Sequence, residues 1–163
     1  DPKVIATEIR LLKKAGAQIK TTENKIIIKG PDKIKSIKSI KTKEFPGIPT
    51  DLQAQLMVLM CKADGKSSIT ESIFENRFMH VAELQRLGAK INIKNNKAFI
   101  EGNTKFIGAE LMSSDLRASV ALVLAAMVAN GKSVVGRVYH LERGYENIEN
   151  KLKKIGVKIK RLK

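Results

Sequence analysis

A long internal repeat is the feature that most constrains how this 163-residue chain can fold. Asp51 opens an apolar segment with the motif DLQA, and Asp115 opens another with DLRA, 64 residues later. The two segments end near Gly65 and Gly131, which are 66 residues apart. A repeat of this length is typical of one supersecondary unit that is used several times. The fold is therefore expected to consist of copies of one unit.

The hydrophobic pattern predicts the same elements in each copy. They are a helix, two short strands around a turn, a long apolar helix and a further strand. The predicted repeats cover residues 5–70 and 79–138, and a partial unit covers 144–163. The partial unit is predicted to contain a helix at 144–155 and a strand at 157–160.

The two long helices are apolar on nearly every face. Four apolar positions in the first helix recur at the same spacing in the second: Leu52, Leu56, Leu59 and Ala63, then Leu116, Val120, Val123 and Met127. A helix that is hydrophobic all round is buried rather than laid on a surface. The predicted fold class is therefore α/β (α+β), with helices inside and sheets outside.

Charge and cysteine content limit the possible functions. The chain has 31 Lys and Arg against 16 Asp and Glu, which indicates either nucleic-acid binding or attraction of small anionic substrates. Aromatic residues make up only 4% and Trp is absent, so platforms for base stacking are scarce. No stretch is apolar enough to span a membrane. The single cysteine, Cys61, cannot form an internal disulfide, which suggests a cytoplasmic protein.

Two acids at helix starts are the first candidates for chemistry. Thr50 and Gln53 fit a capping box around Asp51, and Asp115 follows a serine, so both acids can be explained as helix-start residues. Arg117 lies two residues beyond Asp115. A carboxylate near cations stays ionised at neutral pH and can accept a proton from a hydroxyl group. Capping and proton transfer both remain open.

Two arginines occupy equivalent loops between a strand and a helix. Arg77 and Arg143 are 66 residues apart, and a guanidinium group can bind phosphate or carboxylate with two hydrogen bonds. The alternative is a surface ion pair with Glu75 or Glu142. One cysteine and two distant histidines give no zinc-type spacing, so we expect neither a metal nor a cofactor.

Four sequence blocks resemble one known family. They are FPGIPTDLQAQ at 45–55, TESIFENRFMH at 70–80, SDLRAS at 114–119 and YHLERGYE at 139–146. Together they resemble the C-terminal half of the bacterial enolpyruvyl transferases that act on UDP-N-acetylglucosamine, the UDP-N-acetylglucosamine 1-carboxyvinyltransferase family. The resemblance implies two domains, each an inside-out α/β barrel of three similar units.

The resemblance also implies an activity. The family transfers the enolpyruvyl group of phosphoenolpyruvate to the 3′-hydroxyl of UDP-N-acetylglucosamine and releases phosphate, the first committed step of peptidoglycan synthesis. The expected partners are these two substrates and an N-terminal domain of the same chain, with no nucleic acid and no membrane. The alternative is a nucleic-acid-binding or RNA-processing protein of related architecture, of the RNA 3′-phosphate cyclase type.

The acceptor side of the site follows from the resemblance. Asp51 matches the acid that binds the sugar hydroxyl and is thought to deprotonate it, and Asp115 matches a second acid beside the reaction centre. Ile73 matches a residue that contacts the UDP-sugar through its backbone, with Phe74 beside it.

The cationic side of the site follows in the same way. Arg77, Arg117 and Arg143 match arginines that line the interdomain cleft, and Arg143 matches the one that meets phosphoenolpyruvate. The family's general acid is a cysteine on the other domain, and a lysine near its N-terminus binds phosphoenolpyruvate. Cys61 does not correspond to that cysteine. We therefore expect a piece of a longer enzyme that has no turnover alone.

Overall fold

The computed structural model describes residues 1–162 as a mixture of short strands and helices. Short 3-10 turns at Pro2–Ile5 and Thr50–Leu52 precede the first and second α-helices. The helices and strands, in chain order, are α1 (Ala6–Lys14), β1 (Gln18–Thr21), β2 (Ile26–Lys29), β3 (Ile40–Lys41), α2 (Gln53–Lys62), β4 (Lys66–Thr70), α3 (His80–Arg86), β5 (Lys90–Lys94), β6 (Lys97–Glu101), β7 (Glu110–Met112), α4 (Leu116–Met127), β8 (Val134–Gly136), α5 (Tyr139–Glu142) and α6 (Ile148–Lys154).

The order of elements from α1 to β4 recurs from α3 to β8. Each series has an antiparallel hairpin, β1–β2 or β5–β6, and a parallel pair, β3–β4 or β7–β8. The strands of each parallel pair are joined through a long helix, α2 or α4, because parallel neighbours require a crossover connection. β7 was not predicted from the sequence, since three residues are too few to show a strand period.

The β5–β6 hairpin lies in the second repeat, where the sequence predicted two short strands around a turn. The turn is tight because Asn95 has a left-handed backbone, with φ of 54°, a conformation that asparagine tolerates better than most residues. Lys94 pairs with Lys97 at the turn, and β6 then pairs with β4 to give the sheet order β3-β4-β6-β5.

The end of the chain differs from the sequence prediction. The predicted helix at 144–155 begins only at Ile148, after Asn147 in a left-handed conformation, and a separate short helix, α5, precedes it. The predicted strand at 157–160 is wrong, because these residues are in no strand. A strand requires hydrogen bonds to a neighbour, whereas the Val157 N–H bonds back to the carbonyl of Leu152 at the end of α6.

The structure divides into two compact units that cut across the sequence repeats. The first unit contains Asp1–Phe78 and Ala89–Thr104, and the second contains Met79–Gly88 and the described residues from Lys105 onward. The β5–β6 hairpin belongs to the first unit because β6 bonds to β4 along five residue pairs. Strand pairing therefore brings a hairpin of the second repeat into the first unit.

Each unit buries one long apolar helix, as the sequence predicted. In the first unit Met57 and Met60 of α2 are fully buried, as is Ile69 of β4. In the second unit Val120 and Val123 of α4 form a buried cluster with Leu141; partly buried side chains around it are Leu124, Met127, Val135, Tyr145, Ile148, Leu152 and Ile159. No helix within residues 1–162 is long and apolar enough to cross a membrane.

A close backbone approach in the first unit predicts that Gly102 cannot be replaced. A Cβ atom at Gly102 would lie 1.9 Å from the carbonyl oxygen of Ala63 and 2.4 Å from that of Gly65. Gly102→Ala should therefore lower the free energy of unfolding by about 2–3 kcal/mol, measured by urea denaturation. Gly30→Ala is the matched control, because no atom lies within 4 Å of its Cβ position, and it should change stability by less than about 0.5 kcal/mol. Equal stability of the two variants would contradict this account.

Candidate functional site

A buried carboxylate organises the loops of the first unit that carry predicted site residues. Glu71 follows β4 directly and is only 2% exposed. Its Oε1 accepts hydrogen bonds from the Thr42 hydroxyl at 2.8 Å and from the Ile73 N–H at 2.9 Å, while its Oε2 accepts one from the Thr50 hydroxyl at 2.8 Å. The Phe74 N–H also donates to Oε1, at 3.3 Å. One side chain thus joins three segments of the chain.

Glu71 is ionised at neutral pH. Burial alone would raise its pKa, but the hydrogen bonds from the Ile73 N–H and from the hydroxyls of Thr50 and Thr42 outweigh burial and lower the pKa below its ordinary value. The carboxylate therefore accepts all four hydrogen bonds as an anion, which makes them stronger than bonds between neutral groups.

The predicted capping box at Thr50 and Gln53 is wrong. The Thr50 hydroxyl donates to Glu71, and Gln53 is buried with both side-chain polar atoms unpartnered within the described residues. The chain enters α2 through the 3-10 turn Thr50–Leu52, and the N-cap residue before it, Pro49, makes no side-chain cap. The Thr50 hydroxyl is thus a donor to a buried carboxylate, whereas a capping box would use its oxygen as an acceptor for a backbone N–H of the helix.

Asp51 lies at the surface, next to a cation that the sequence also singled out. Its side chain is 77% exposed, and Arg77 Nη1 lies 3.9 Å from its Oδ1. The Arg77 guanidinium also lies over the ring of Phe74, 4.3 Å from the ring centre. The structure thus brings together three of the predicted residues, Asp51, Phe74 and Arg77. Arg77 thus forms its ion pair with Asp51. The sequence had suggested Glu75 as one possible partner.

The orientation of the Ile73 backbone follows from its bonds to Glu71. The N–H groups of Ile73 and Phe74 both point at the carboxylate. In a trans peptide the carbonyl points opposite to the N–H of the next residue, so the Ile73 carbonyl is directed away from Glu71. The backbone group that Ile73 offers on that side is therefore a hydrogen-bond acceptor.

Asp115 in the second unit caps α4. Its Oδ1 accepts hydrogen bonds from the N–H groups of Arg117 at 2.9 Å and Ala118 at 3.1 Å, and Arg117 Nη2 lies 3.4 Å from the same oxygen. Burial alone would raise the pKa of Asp115, but the amide of Ala118 and the charge of Arg117 outweigh it and lower the pKa. The capping explanation considered for this residue is confirmed.

His80 of α3 lies in the electrostatic field of this cap. It is 3% exposed, and its Nε2 has no hydrogen-bond partner among the described residues. Burial lowers the pKa of His80 to about 4, with the charge of Asp115 opposing that shift and the charge of Arg117 adding to it. The imidazole is therefore neutral at physiological pH.

Arg143 is exposed at the C-terminal end of α5. The neighbouring Glu142, suggested from the sequence as a partner for Arg143, instead forms an ion pair with Arg161. Arg161 also contacts Glu149, with 3.2 Å between Nε and Oε1. The acids on α5 and α6 are thus engaged by a residue near the end of the described chain.

Cys61 and Glu71 are both buried ionisable residues, and only Cys61 drew attention in the sequence. Cys61 is fully buried in α2, and burial raises the pKa of its thiol to about 12, so it is a poor nucleophile. Glu71 was not singled out from the sequence. Its signal in the sequence is weak: an acid directly after a predicted strand, between a threonine and a serine, where a buried strand end calls for hydrogen bonding.

Comparison with known proteins places the chain among carboxyvinyl transferases. Residues 3–152 match the family described as EPSP synthase (3-phosphoshikimate 1-carboxyvinyltransferase). The chain is 65% identical over 162 residues to UDP-N-acetylglucosamine 1-carboxyvinyltransferase of Pelagibacter ubique and 50% identical over 162 residues to that of Desulfosudis oleivorans. Each alignment covers 99% of this chain and 39% of the relative, so the chain spans about two fifths of the length of these relatives.

Solved structures show the same fold. The enolpyruvyl transferase NikO from Streptomyces tendae matches with a TM-score of 0.87 and 27% identity, covering 96% of this chain and 36% of that one. The EPSP synthase from Acinetobacter baumannii matches with a TM-score of 0.74 and 18% identity, covering 99% of this chain and 40% of that one. The second likeness concerns the fold alone. The predicted α/β fold class is confirmed at the level of mixed helix and strand content.

The buried neutral histidine predicts a pH dependence of stability. His80 has a pKa of about 4 when folded and an ordinary value of 6.5 when unfolded, so the unfolded chain binds more protons between these limits. Stability should fall as pH falls through this window, by about 2 kcal/mol between pH 7 and pH 5. Urea denaturation across that range should show the loss, and His80→Gln should remove it. His140→Gln, which leaves His80 in place, should retain it; a similar profile for both variants would refute the assignment.

Proposed function

Because this chain belongs to the EPSP synthase family, we propose that it supplies part of an enzyme that transfers the enolpyruvyl group of phosphoenolpyruvate to the 3′-hydroxyl of UDP-N-acetylglucosamine and releases phosphate. This would be the first committed step of peptidoglycan synthesis. The observation that carries the proposal is the group formed by Asp51, Arg77 and Phe74, in which an exposed acid is held beside a cation and an aromatic ring.

The choice of acceptor rests on the relatives. The family description names a shikimate substrate, but the relatives that are 65% and 50% identical over 99% of this chain carry the UDP-N-acetylglucosamine name. The EPSP synthase structure is only 18% identical, so this likeness supports the fold and not the choice of substrate. A UDP-sugar is therefore the better-supported acceptor. No observation favours the nucleic-acid alternative.

Asp51 is better suited than Asp115 to act as the base. The carboxylate of Asp115 accepts two backbone hydrogen bonds and its pKa is lowered, which makes it a weaker proton acceptor. Asp51 is exposed and can reach a hydroxyl group of a bound sugar. In our proposal Asp51 takes the proton of the 3′-hydroxyl as the sugar oxygen bonds to C2 of phosphoenolpyruvate and the methylene carbon takes up a proton from a general acid. Loss of phosphate and of a proton from that carbon then restores the double bond. Asp115 is proposed as a second acid of the full-length enzyme.

The three arginines serve the anionic groups of the substrates. The guanidinium groups of Arg77, Arg117 and Arg143 are planar and can each make two hydrogen bonds to a phosphate or carboxylate. In the proposal Arg143 contacts phosphoenolpyruvate, and its exposed position at the end of α5 is compatible with this role. The net charge of +15 would attract both anionic substrates.

The finer architecture and the location also belong to the proposal. We infer that the repeats 5–70 and 79–138, with the partial unit 144–163, form one inside-out α/β barrel domain of a longer enzyme. Burial of α2 and α4 and the likeness to NikO support this. The buried free thiol of Cys61 is compatible with the cytoplasm.

Replacement of the proposed base tests the chemistry directly. In the full-length protein that carries this sequence, Asp51→Asn should lower kcat at least about 100-fold, because the proton acceptor is lost. Calorimetric titration should show that UDP-N-acetylglucosamine still binds with little loss of affinity. Asp32→Asn, which removes another exposed acid of the first unit, is the matched control and should retain activity. Unchanged turnover in the Asp51 variant would exclude it as the base, and failure of the wild type to bind the UDP-sugar would overturn the proposed function.

Replacement of Arg143 tests the phosphoenolpyruvate assignment. Arg143→Ala should raise the KM for phosphoenolpyruvate at least about tenfold, since a bidentate charged contact is lost, and should change UDP-sugar affinity much less. Arg143→Lys should restore only part of the loss, because an ammonium group lacks the planar fork. Arg86→Ala, at an exposed arginine paired with Glu83, is the control and should leave both constants near wild type. A larger effect on sugar binding than on phosphoenolpyruvate would contradict the assignment.

A further inference from the structure

We propose that Glu71 is a positioning residue of the acceptor site, which holds the Asp51 turn and the Ile73–Phe74 backbone in one fixed geometry. This inference rests on the proposed function, which gives Asp51 and Ile73 their roles. The ligand of this acceptor site would be a sugar nucleotide. Its hydroxyl and N–H groups would contact the segments that Glu71 holds in place.

The first connection runs through Thr50. Its hydroxyl donates to Glu71 Oε2 at 2.8 Å, and Asp51 is the next residue in the same 3-10 turn. The turn has no side-chain cap, because the N-cap residue before it is Pro49. The bond to Glu71 therefore sets where the backbone of the turn that carries Asp51 lies.

The second connection runs through the backbone after β4. Glu71 Oε1 accepts the N–H groups of Ile73 and Phe74, which directs the Ile73 carbonyl to the opposite side. That carbonyl is then available to accept a hydrogen bond from an N–H or O–H group of the sugar nucleotide. If the carboxylate were absent, the two amides would have to find other partners and the peptide could rotate.

The position of Glu71 itself is held on both sides. Its backbone N–H donates to the carbonyl of Asn96 at 2.9 Å, and the Asn96 side-chain amide donates to the Glu71 carbonyl at 3.0 Å. Thr42 fixes the same loop, because its hydroxyl accepts the Ser72 N–H at 2.9 Å while donating to Glu71. Glu71 is thus a rigid reference point from which the two acceptor-site segments are placed.

A carboxylate suits this task better than a neutral side chain. It offers two oxygens that only accept, and four donors from Thr42, Thr50, Ile73 and Phe74 reach them. An amide at this position would present one oxygen and one NH₂ group, so one of the two sets of donors would lose its acceptor. The four donors are neutral hydroxyl and amide groups, which satisfy the buried charge and define its geometry at the same time.

The test uses Glu71→Gln in the full-length protein that carries this sequence. We expect kcat/KM to fall about 100-fold, because misplacement of reacting groups by about 1 Å has effects of that size. The KM for UDP-N-acetylglucosamine should rise, and hydrogen exchange of the peptide covering residues 71–78 should become faster. Ser68→Ala is the matched control, since it removes a hydrogen bond from β4 to the Lys38 carbonyl without touching Glu71. It should retain activity.

Two substitutions of Thr50 distinguish a positioning role of the Glu71 bond from a general contribution to stability. Thr50→Val removes the hydroxyl at nearly constant volume and should lower kcat about tenfold, with the KM for the UDP-sugar within about twofold of wild type. Thr50→Ser keeps the hydroxyl and should restore kcat. If the role were only structural, the variants would lose thermal stability, and their activity would fall in proportion to that loss. The selective fall in kcat at nearly constant KM would then not be seen.

The possible outcomes distinguish this inference from the proposed function. If the wild type has no enolpyruvyl transfer activity, the proposed function fails, and this inference fails with it. If the wild type is active and a folded Glu71→Gln variant keeps kcat and KM within about twofold, the positioning role is wrong while the proposed function stands. Equal kcat values for Thr50→Val and Thr50→Ser would also overturn the connection to Asp51.

Discussion

Burial of two apolar helices is the constraint on which the rest of the structure depends. α2 and α4 are hydrophobic on nearly every face, so other elements must cover them to remove their apolar surface from water. Each helix also joins the two strands of a parallel pair, β3–β4 or β7–β8. Covering the helices therefore fixes where their N-terminal ends emerge, and those ends carry the two acids, Asp51 and Asp115.

The two helix starts have the same sequence pattern and different structures. Asp115 caps α4 with its own side chain, and its pKa is lowered as a result. Asp51 lies within a 3-10 turn, and the hydrogen bond that holds this turn comes from Thr50 to Glu71. At the first helix start a buried glutamate, and not the aspartate, accepts the hydrogen bond that holds the turn. Because of this difference, the proposed mechanism gives the role of base to the exposed Asp51.

The sequence predicted most elements of the fold, because hydrophobic period and turn residues are local properties. The β5–β6 hairpin around Asn95 and the helix that follows Asp115 lie where they were expected. The strand predicted at 157–160 failed because a strand depends on a partner, which a local pattern does not reveal. The grouping of β5–β6 with the first unit was not foreseen for the same reason, since it arises from pairing between β6 and β4.

For the site, the sequence by itself determined which residue types are present and which of them recur with the repeat. From that, and from the resemblance to enolpyruvyl transferases, Asp51, Phe74 and Arg77 could be named before their proximity was known. Only the tertiary structure decided that Glu71 is the buried acceptor that joins Thr50 to the Ile73 backbone. The reason is physical: a buried charge must find its hydrogen-bond donors wherever the fold brings them, and its two hydroxyl donors, Thr42 and Thr50, lie 29 and 21 residues away in the sequence.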